Sequence, residues 1–136
     1  MFGENLIIGH SEGKISDKHR IFIPAFSNPQ KGDKVIFAKL VYNEEQALKL
    51  FGYKSYLQII ERLQCLRDNA SSQEEYNKYT EEIEKSCYSL ECIAQIDAQR
   101  RLSLPKCIQE LYGWKVGDPL IYDGMGECLL IRKQNK

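Results

Sequence analysis

One layout of residues occurs twice in this chain. In Ile15-Ser16-Asp17-Lys18-His19-Arg20-Ile21-Phe22-Ile23-Pro24, a charged, turn-prone tetrad runs into alternating apolar residues that stop at a proline. Ile96-Asp97-Ala98-Gln99-Arg100-Arg101-Leu102-Ser103-Leu104-Pro105 has the same order. Aligning Pro24 with Pro105 sets the copies 81 residues apart and places Arg20 on Arg101, Ile21 on Leu102, Ile23 on Leu104 and Ser16 on Asp97. Side chains alternate along a strand, so Ile21 and Ile23 share one face while Arg20 and Phe22 share the other. Each copy therefore predicts a tight charged turn feeding a short, half-buried strand. Each half has too few strands to close a core alone, so the copies are expected to pack together as a pseudo-dimer within one chain.

The intervening segments read as what such copies require. The first 13 residues hold the apolar run Leu6-Ile7-Ile8 and three glycines, which predicts a short strand and a loose connection. Lys14 to Ser16 open the first copy, Asp17 to His19 form its turn and Arg20 to Ile23 its strand. After a brief helical turn at Pro24, Lys31-Gly32-Asp33 turns the chain into a strand from Lys34 to Leu40. Asn43-Glu44-Glu45 is a further turn, and Ala47 to Phe51 a short strand. Tyr56, Ile59, Ile60, Leu63 and Leu66 then recur at helical spacing, predicting a helix over 54–68. Ser72 with Glu75 makes a capping box for a second helix, whose stripe is Tyr76, Tyr79, Ile83, Cys87 and Leu90. The tyrosines of this helical hairpin read as packing residues.

The second copy follows as a strand from Ile93 to Ile96, a turn from Asp97 to Arg100 and a strand from Arg101 to Leu104. Pro105 suits the start of a helix through Tyr112, with Cys107, Ile108 and Leu111 inward and Gly113 as C-cap. Val116-Gly117-Asp118 repeats the earlier glycine turn. Strands at Leu120–Tyr122 and Cys128–Ile131 close the pattern, and Arg132 to Lys136 form a basic tail expected to fray. The expected division is a first repeat over 1–53, a helical hairpin over 54–90 and a second repeat over 91–136. The fold class is α+β, mainly β.

Composition narrows the functional classes. The formal charge of the 136-residue chain is zero, but residues 14–34 carry a net +3 and residues 97–106 a net +2. Residues 44–92 carry −4. A neutral protein with cations gathered in two repeated turns can present a basic face to phosphate. One such face neutralises few phosphates, so several copies would have to act together. No apolar run approaches the ~20 residues needed to cross a bilayer, so no membrane partner is expected. The five cysteines form no C-x-x-C pair and lack zinc spacing, which predicts buried thiols in a reducing cytoplasm and no metal or cofactor. His10, His19 and Cys92 stand in no recognisable nucleophile–base arrangement, so neither an enzyme nor a small-molecule substrate is expected.

Asp-x-x-x-Arg followed by an alternating apolar triplet and proline resembles the signature of AbrB-like, swapped-hairpin proteins. Two copies around a helical hairpin resemble the MraZ family of bacterial transcriptional regulators, over nearly the whole chain. Ala47 to Tyr56 resembles that family's strand-to-helix segment, and Leu104 to Trp114 its helix after the second motif. The resemblance implies a double AbrB-like fold with two swapped-hairpin repeats, a ring-like homo-oligomer, and binding of double-stranded DNA through paired motif loops. It implies a cytoplasmic, nucleoid-associated protein. The chain departs from the family where Ser16 replaces aspartate and where His19 and Arg100 replace glycine. A glycine there suggests a backbone position with positive φ.

The DNA-facing set expected from these features is Lys14, Lys18, His19 and Arg20, with Gln99, Arg100 and Arg101 as further candidates. Ser16 and Asp97 are expected to shape the turns, and Asp97 has the chemistry to brace Arg101. The competing reading is a ring-forming or antitoxin-like interaction module without specific DNA contact.

Overall fold

The computed structural model describes residues 1–86 and 93–134. It is α+β, with eight strands and three helices among these residues. The strands are β1 (His10–Lys14), β2 (Arg20–Phe22), β3 (Lys34–Tyr42), β4 (Glu45–Gly52), β5 (Ile93–Gln95), β6 (Arg101–Ser103), β7 (Pro119–Gly124) and β8 (Leu129–Lys133). The helices are α1 (Tyr53–Asp68), α2 (Gln73–Ser86) and α3 (Lys106–Tyr112). Six strands form one antiparallel sheet in the order β1-β7-β8-β4-β3-β5, and β2 pairs with β6 in a separate two-stranded ladder.

The pairing runs across the halves of the chain. β1 from the first half pairs with β7 from the second, and β5 from the second pairs with β3 from the first. Matching hydrogen bonds extend the exchange. The Gly117 N–H donates to the Ile15 carbonyl at 2.7 Å, and the Gly32 N–H to the Ile96 carbonyl at 2.7 Å. The Ile15 N–H donates to Asp118 at 3.0 Å, and the Ile96 N–H to Asp33 at 2.9 Å. Both glycine turns have the same chemistry: φ is 86° at Gly32 and 92° at Gly117, and Asp33 and Asp118 accept from Gln30 N–H and Lys115 N–H. Bulky residues resist such φ values, which explains the glycine in both turns.

Alternation within the copies decides the core. Ile15, Ile21, Ile23, Ile96, Leu102 and Leu104 are all at most 3% exposed and belong to one cluster with Val35, Phe37, Leu48, Leu50, Ile108 and Trp114. Burying a side chain of this kind is worth roughly 1.5–3 kcal/mol, so the paired copies carry much of the stability of the molecule.

Several boundaries differ from the pattern-based expectation. The glycine-bearing segment before residue 14 is strand β1 rather than a loose connection, while only Ile7 of the Leu6–Ile8 run bridges to another strand, at Gly126. The β3–β4 connection is tighter than a three-residue turn: Asn43 and Glu44 alone turn the chain, at φ 49° and 65°. Two left-handed residues in a two-residue loop make a turn whose twist matches the strands, so β3 and β4 pair out to Tyr42 and Glu45. In α3, Leu111 is 54% exposed rather than inward; Ile108 and Tyr112 face the sheet, and the Tyr112 hydroxyl donates to the Ala47 carbonyl at 2.7 Å. The expected frayed tail begins too early: Arg132 and Lys133 belong to β8 and meet Asp123 at 3.3 Å and Asp118 at 3.4 Å.

The helical hairpin is less buried than its stripes suggest. Tyr56 and Ile83 are buried, but Leu66 is 44% exposed. Tyr76 is 42% exposed and lies under the Arg67 guanidinium rather than packing in a core. Glu75 N–H donates to the Ser72 hydroxyl at 3.1 Å, as in a capping box, whereas the Glu75 carboxylate accepts from Ser71 instead of Ser72. Cys87, Leu90 and Cys92 lie outside the described residues. Of the other cysteines, Cys128 is buried, Cys107 is half-buried and Cys65 is exposed, so the expectation of buried thiols fails at Cys65. No helix among the described residues is long and apolar enough to cross a membrane.

Candidate nucleic-acid interface

The β2–β6 ladder positions both motif loops. Arg20 lies opposite Ser103, and Phe22 opposite Arg101. Directly opposed residues share a face, so Arg20, Phe22, Arg101 and Ser103 stand together on the side away from Ile21 and Leu102. The ladder is prolonged at each end by one bond into a loop. Leu104 N–H donates to the His19 carbonyl at 2.9 Å, and Ile23 N–H to the Arg100 carbonyl at 2.8 Å. Each loop is thereby fastened to the strand of the other copy, and the antiparallel ladder puts the two loops at its opposite ends.

In both loops a backbone bond closes the turn: Ser16 N–H to the Arg20 carbonyl at 2.8 Å, and Asp97 N–H to the Arg101 carbonyl at 3.0 Å. The side chains then diverge. Asp97 Oδ1 accepts the N–H groups of Gln99 and Arg101, each at 2.9 Å, and its Oδ2 accepts Arg101 Nε at 3.0 Å. Arg101 also donates to Gln99 Oε1. Partial burial pulls the Asp97 carboxyl up. The backbone bonds from Arg101 and Gln99 and the Arg101 guanidinium outweigh that and hold it below the usual aspartate range. Ser16 has no carboxylate to offer; its hydroxyl donates to the Arg20 carbonyl at 2.8 Å. Arg20 Nε donates only a long bond, 3.4 Å, to the Asp17 carbonyl.

His19 and Arg100 both hold a backbone that favours glycine. His19 has φ 54° and Arg100 has φ 61°, and in the first loop Lys18 joins them at φ 62°. All three are basic residue types, and all three are held in a region that side chains enter at a cost of about 1–2 kcal/mol. Lys14, at the end of β1, is exposed, as are Lys18, Gln99 and Arg100; His19, Arg20 and Arg101 are half-buried.

The candidates therefore divide. Gln99 and Arg101 are tied to Asp97 within the second loop, while among the described residues Arg20 is held by a single long bond. Phe22 is absent from the expected set, yet it is 55% exposed between Arg20 and Arg101 on the outer face. The alternation that buried Ile21 and Ile23 already required it to point outward. No protein-family model and no curated protein matches this chain.

Proposed function

We propose that the chain is a DNA-binding transcriptional regulator resembling the MraZ family, built from two AbrB-like swapped-hairpin repeats. The observation that carries this reading is the pair of exchanged loops whose left-handed positions are occupied by Lys18, His19 and Arg100. Strain of this kind clusters at binding and catalytic sites, and here, unlike at Asn43 and Glu44, it falls on basic residues in both copies of the motif. Cations in these loops, on a ladder whose outer face adds Arg20 and Arg101, suit the phosphates and base edges of double-stranded DNA.

Assembly into a homo-oligomer accompanies this reading, since one subunit presents few cations. Leu6 and Ile8 are 70% and 71% exposed and flank the bridge from Ile7 to Gly126, beside Met125 at 51%. An apolar patch of this kind suits contact between subunits better than contact with water. A cytoplasmic, nucleoid-associated protein fits the same proposal.

The test is fluorescence anisotropy with a random duplex at about 50 and 200 mM salt, followed by duplexes from the region upstream of the gene. Binding that weakens steeply with salt and tightens on the upstream sequence is expected. A ring-forming module that has lost DNA contact would show oligomers by light scattering and no duplex binding at either salt concentration.

A further inference from the structure

We propose that Phe22 is a base-reading residue, packing on the C5-methyl group of a thymine when the outer face of the β2–β6 ribbon lies in the major groove of a duplex. This rests on the DNA reading above and adds to it an apolar contact that phosphate-binding cations do not supply. The outer face consists of Arg20, Phe22, Arg101 and Ser103. The major groove admits a two-stranded ribbon, and three residue pairs run about 10 Å along it.

Phe22 stands directly opposite Arg101, a position that sets Cβ atoms about 5 Å apart. Arg20 lies two residues along the same strand, about 7 Å away. A phenyl ring therefore sits between two guanidinium groups, on a face that bears no carboxylate. The loops at the two ends of the ribbon add Lys18, His19 and Arg100 against Asp17, since the Asp97 carboxylate is already taken by Arg101 and by backbone N–H groups. Such a surface favours a polyanion over a second copy of a chain whose formal charge is zero. Packing accounts for only part of the ring: Phe22 shares a hollow with Ile23, Pro24 and Tyr122, yet more than half of it is exposed.

A phenyl ring gains nothing from phosphate. The apolar group that a duplex displays in its major groove is the thymine methyl, and phenylalanine is among the side chains that pack on it. Insertion between base pairs is the other use of an exposed phenyl. Wedges of that kind enter from the minor groove at a kinked step, whereas here two longer side chains flank the ring and reach the duplex first. The second copy supplies the contrast. The 81-residue offset that places Arg20 on Arg101 places Phe22 on Ser103. The arginines match and these two residues do not, and serine bonds to several base edges without preferring the methyl. One subunit thereby has a polarity on the duplex that two identical copies would lack.

The test is an anisotropy titration of the full chain with the upstream duplex in two forms, one carrying thymine and one carrying deoxyuridine throughout, which differ only in the C5-methyl groups. The wild type is expected to bind the deoxyuridine form about fourfold more weakly for each subunit engaged, the worth of one buried methyl. Phe22→Ser, which copies the second half of the ribbon, is expected to bind both forms alike, with unchanged melting and unchanged mass in light scattering. Ser103→Phe is expected to enlarge the preference for thymine. Equal affinity of the wild type for the two forms overturns the proposal and leaves the DNA reading standing, whereas no binding of either form overturns both. A folded Phe22→Ser variant that keeps the preference for thymine overturns it, and a fall in oligomer mass does so by making Phe22 a subunit contact. Should Phe22→Ser fail to fold, an unchanged preference in Ser103→Phe overturns it.

Discussion

His19 and Arg100 show how much one backbone position can ask of a side chain. Both hold positive φ without being glycine, at 54° and 61°. Replacing Arg100 with glycine should relieve strain and raise stability by roughly 0.5–1 kcal/mol, the relief partly offset by the extra freedom of glycine in the unfolded chain. Under the proposed function the same change should weaken duplex binding, and a thermal melt beside an anisotropy titration reads both effects. Arg20 and Arg101 should separate in the opposite sense. Arg20→Ala removes a side chain with one long internal bond, so affinity for DNA should fall by about 1–3 kcal/mol with little change in melting. Arg101→Ala leaves Asp97 without its guanidinium and should lower the melting temperature. Equal losses of affinity and unchanged melting in both variants would refute this division of labour. Asp97 also has a pH signature. Its carboxyl is depressed in the folded state, so its contribution is present above the ordinary value of 3.8 and lost as pH falls through the lower folded value. Asp97→Asn should be less stable than wild type near neutrality, and the gap should close in acid.

At the scale of elements, local chemistry explains most of what formed. The α1 helix follows its apolar spacing, and the Ser72 hydroxyl caps α2 as its sequence position predicts. The β3–β4 hairpin required more: only the folded chain shows that Asn43 and Glu44 make the turn by themselves. Asparagine followed by glycine is the preferred pair for such a loop. Glu44→Gly should therefore stabilise the protein by about 0.5–1 kcal/mol, the strain cost of a left-handed non-glycine residue. A rise in the denaturant midpoint with an unchanged m-value is the expected result. The β1 strand was illegible for a different reason. Its residues are mostly exposed and carry no apolar alternation, so only pairing with β7 makes it a strand.

Across the whole molecule, the exchange of strands makes the halves mutually dependent. A fragment covering residues 1–86 would keep β1, β2, β3 and β4 but lose every partner that β1 and β2 have. Such a fragment should show no cooperative thermal transition by circular dichroism near-ultraviolet signal, and mixing it with residues 93–134 should restore one. The exposed Leu6, Ile8 and Met125 lead to the expectation of an oligomer in light scattering at micromolar concentration. Changing Leu6 and Ile8 together to glutamate should shift that mass toward monomer without lowering the melting temperature, since neither side chain is buried.

The repeated motif, its alternation and its proline stops were enough to determine which residues of the two copies are buried, because strand geometry converts sequence parity directly into facing. They were also enough to place turns where glycine, asparagine and aspartate cluster, since those residues act on their immediate neighbours. Which strands pair was decided only in three dimensions. The contacts of Ile15 with Asp118 and of Ile96 with Asp33 join residues far apart in the chain, and no local preference encodes them. The same holds for the packing of Tyr122 on Gly13: a lone glycine and a lone tyrosine carry no signal until pairing of β1 with β7 lays one across the other. Local preference is a property of a few adjacent residues, whereas burial of a hydroxyl depends on everything that packs around it.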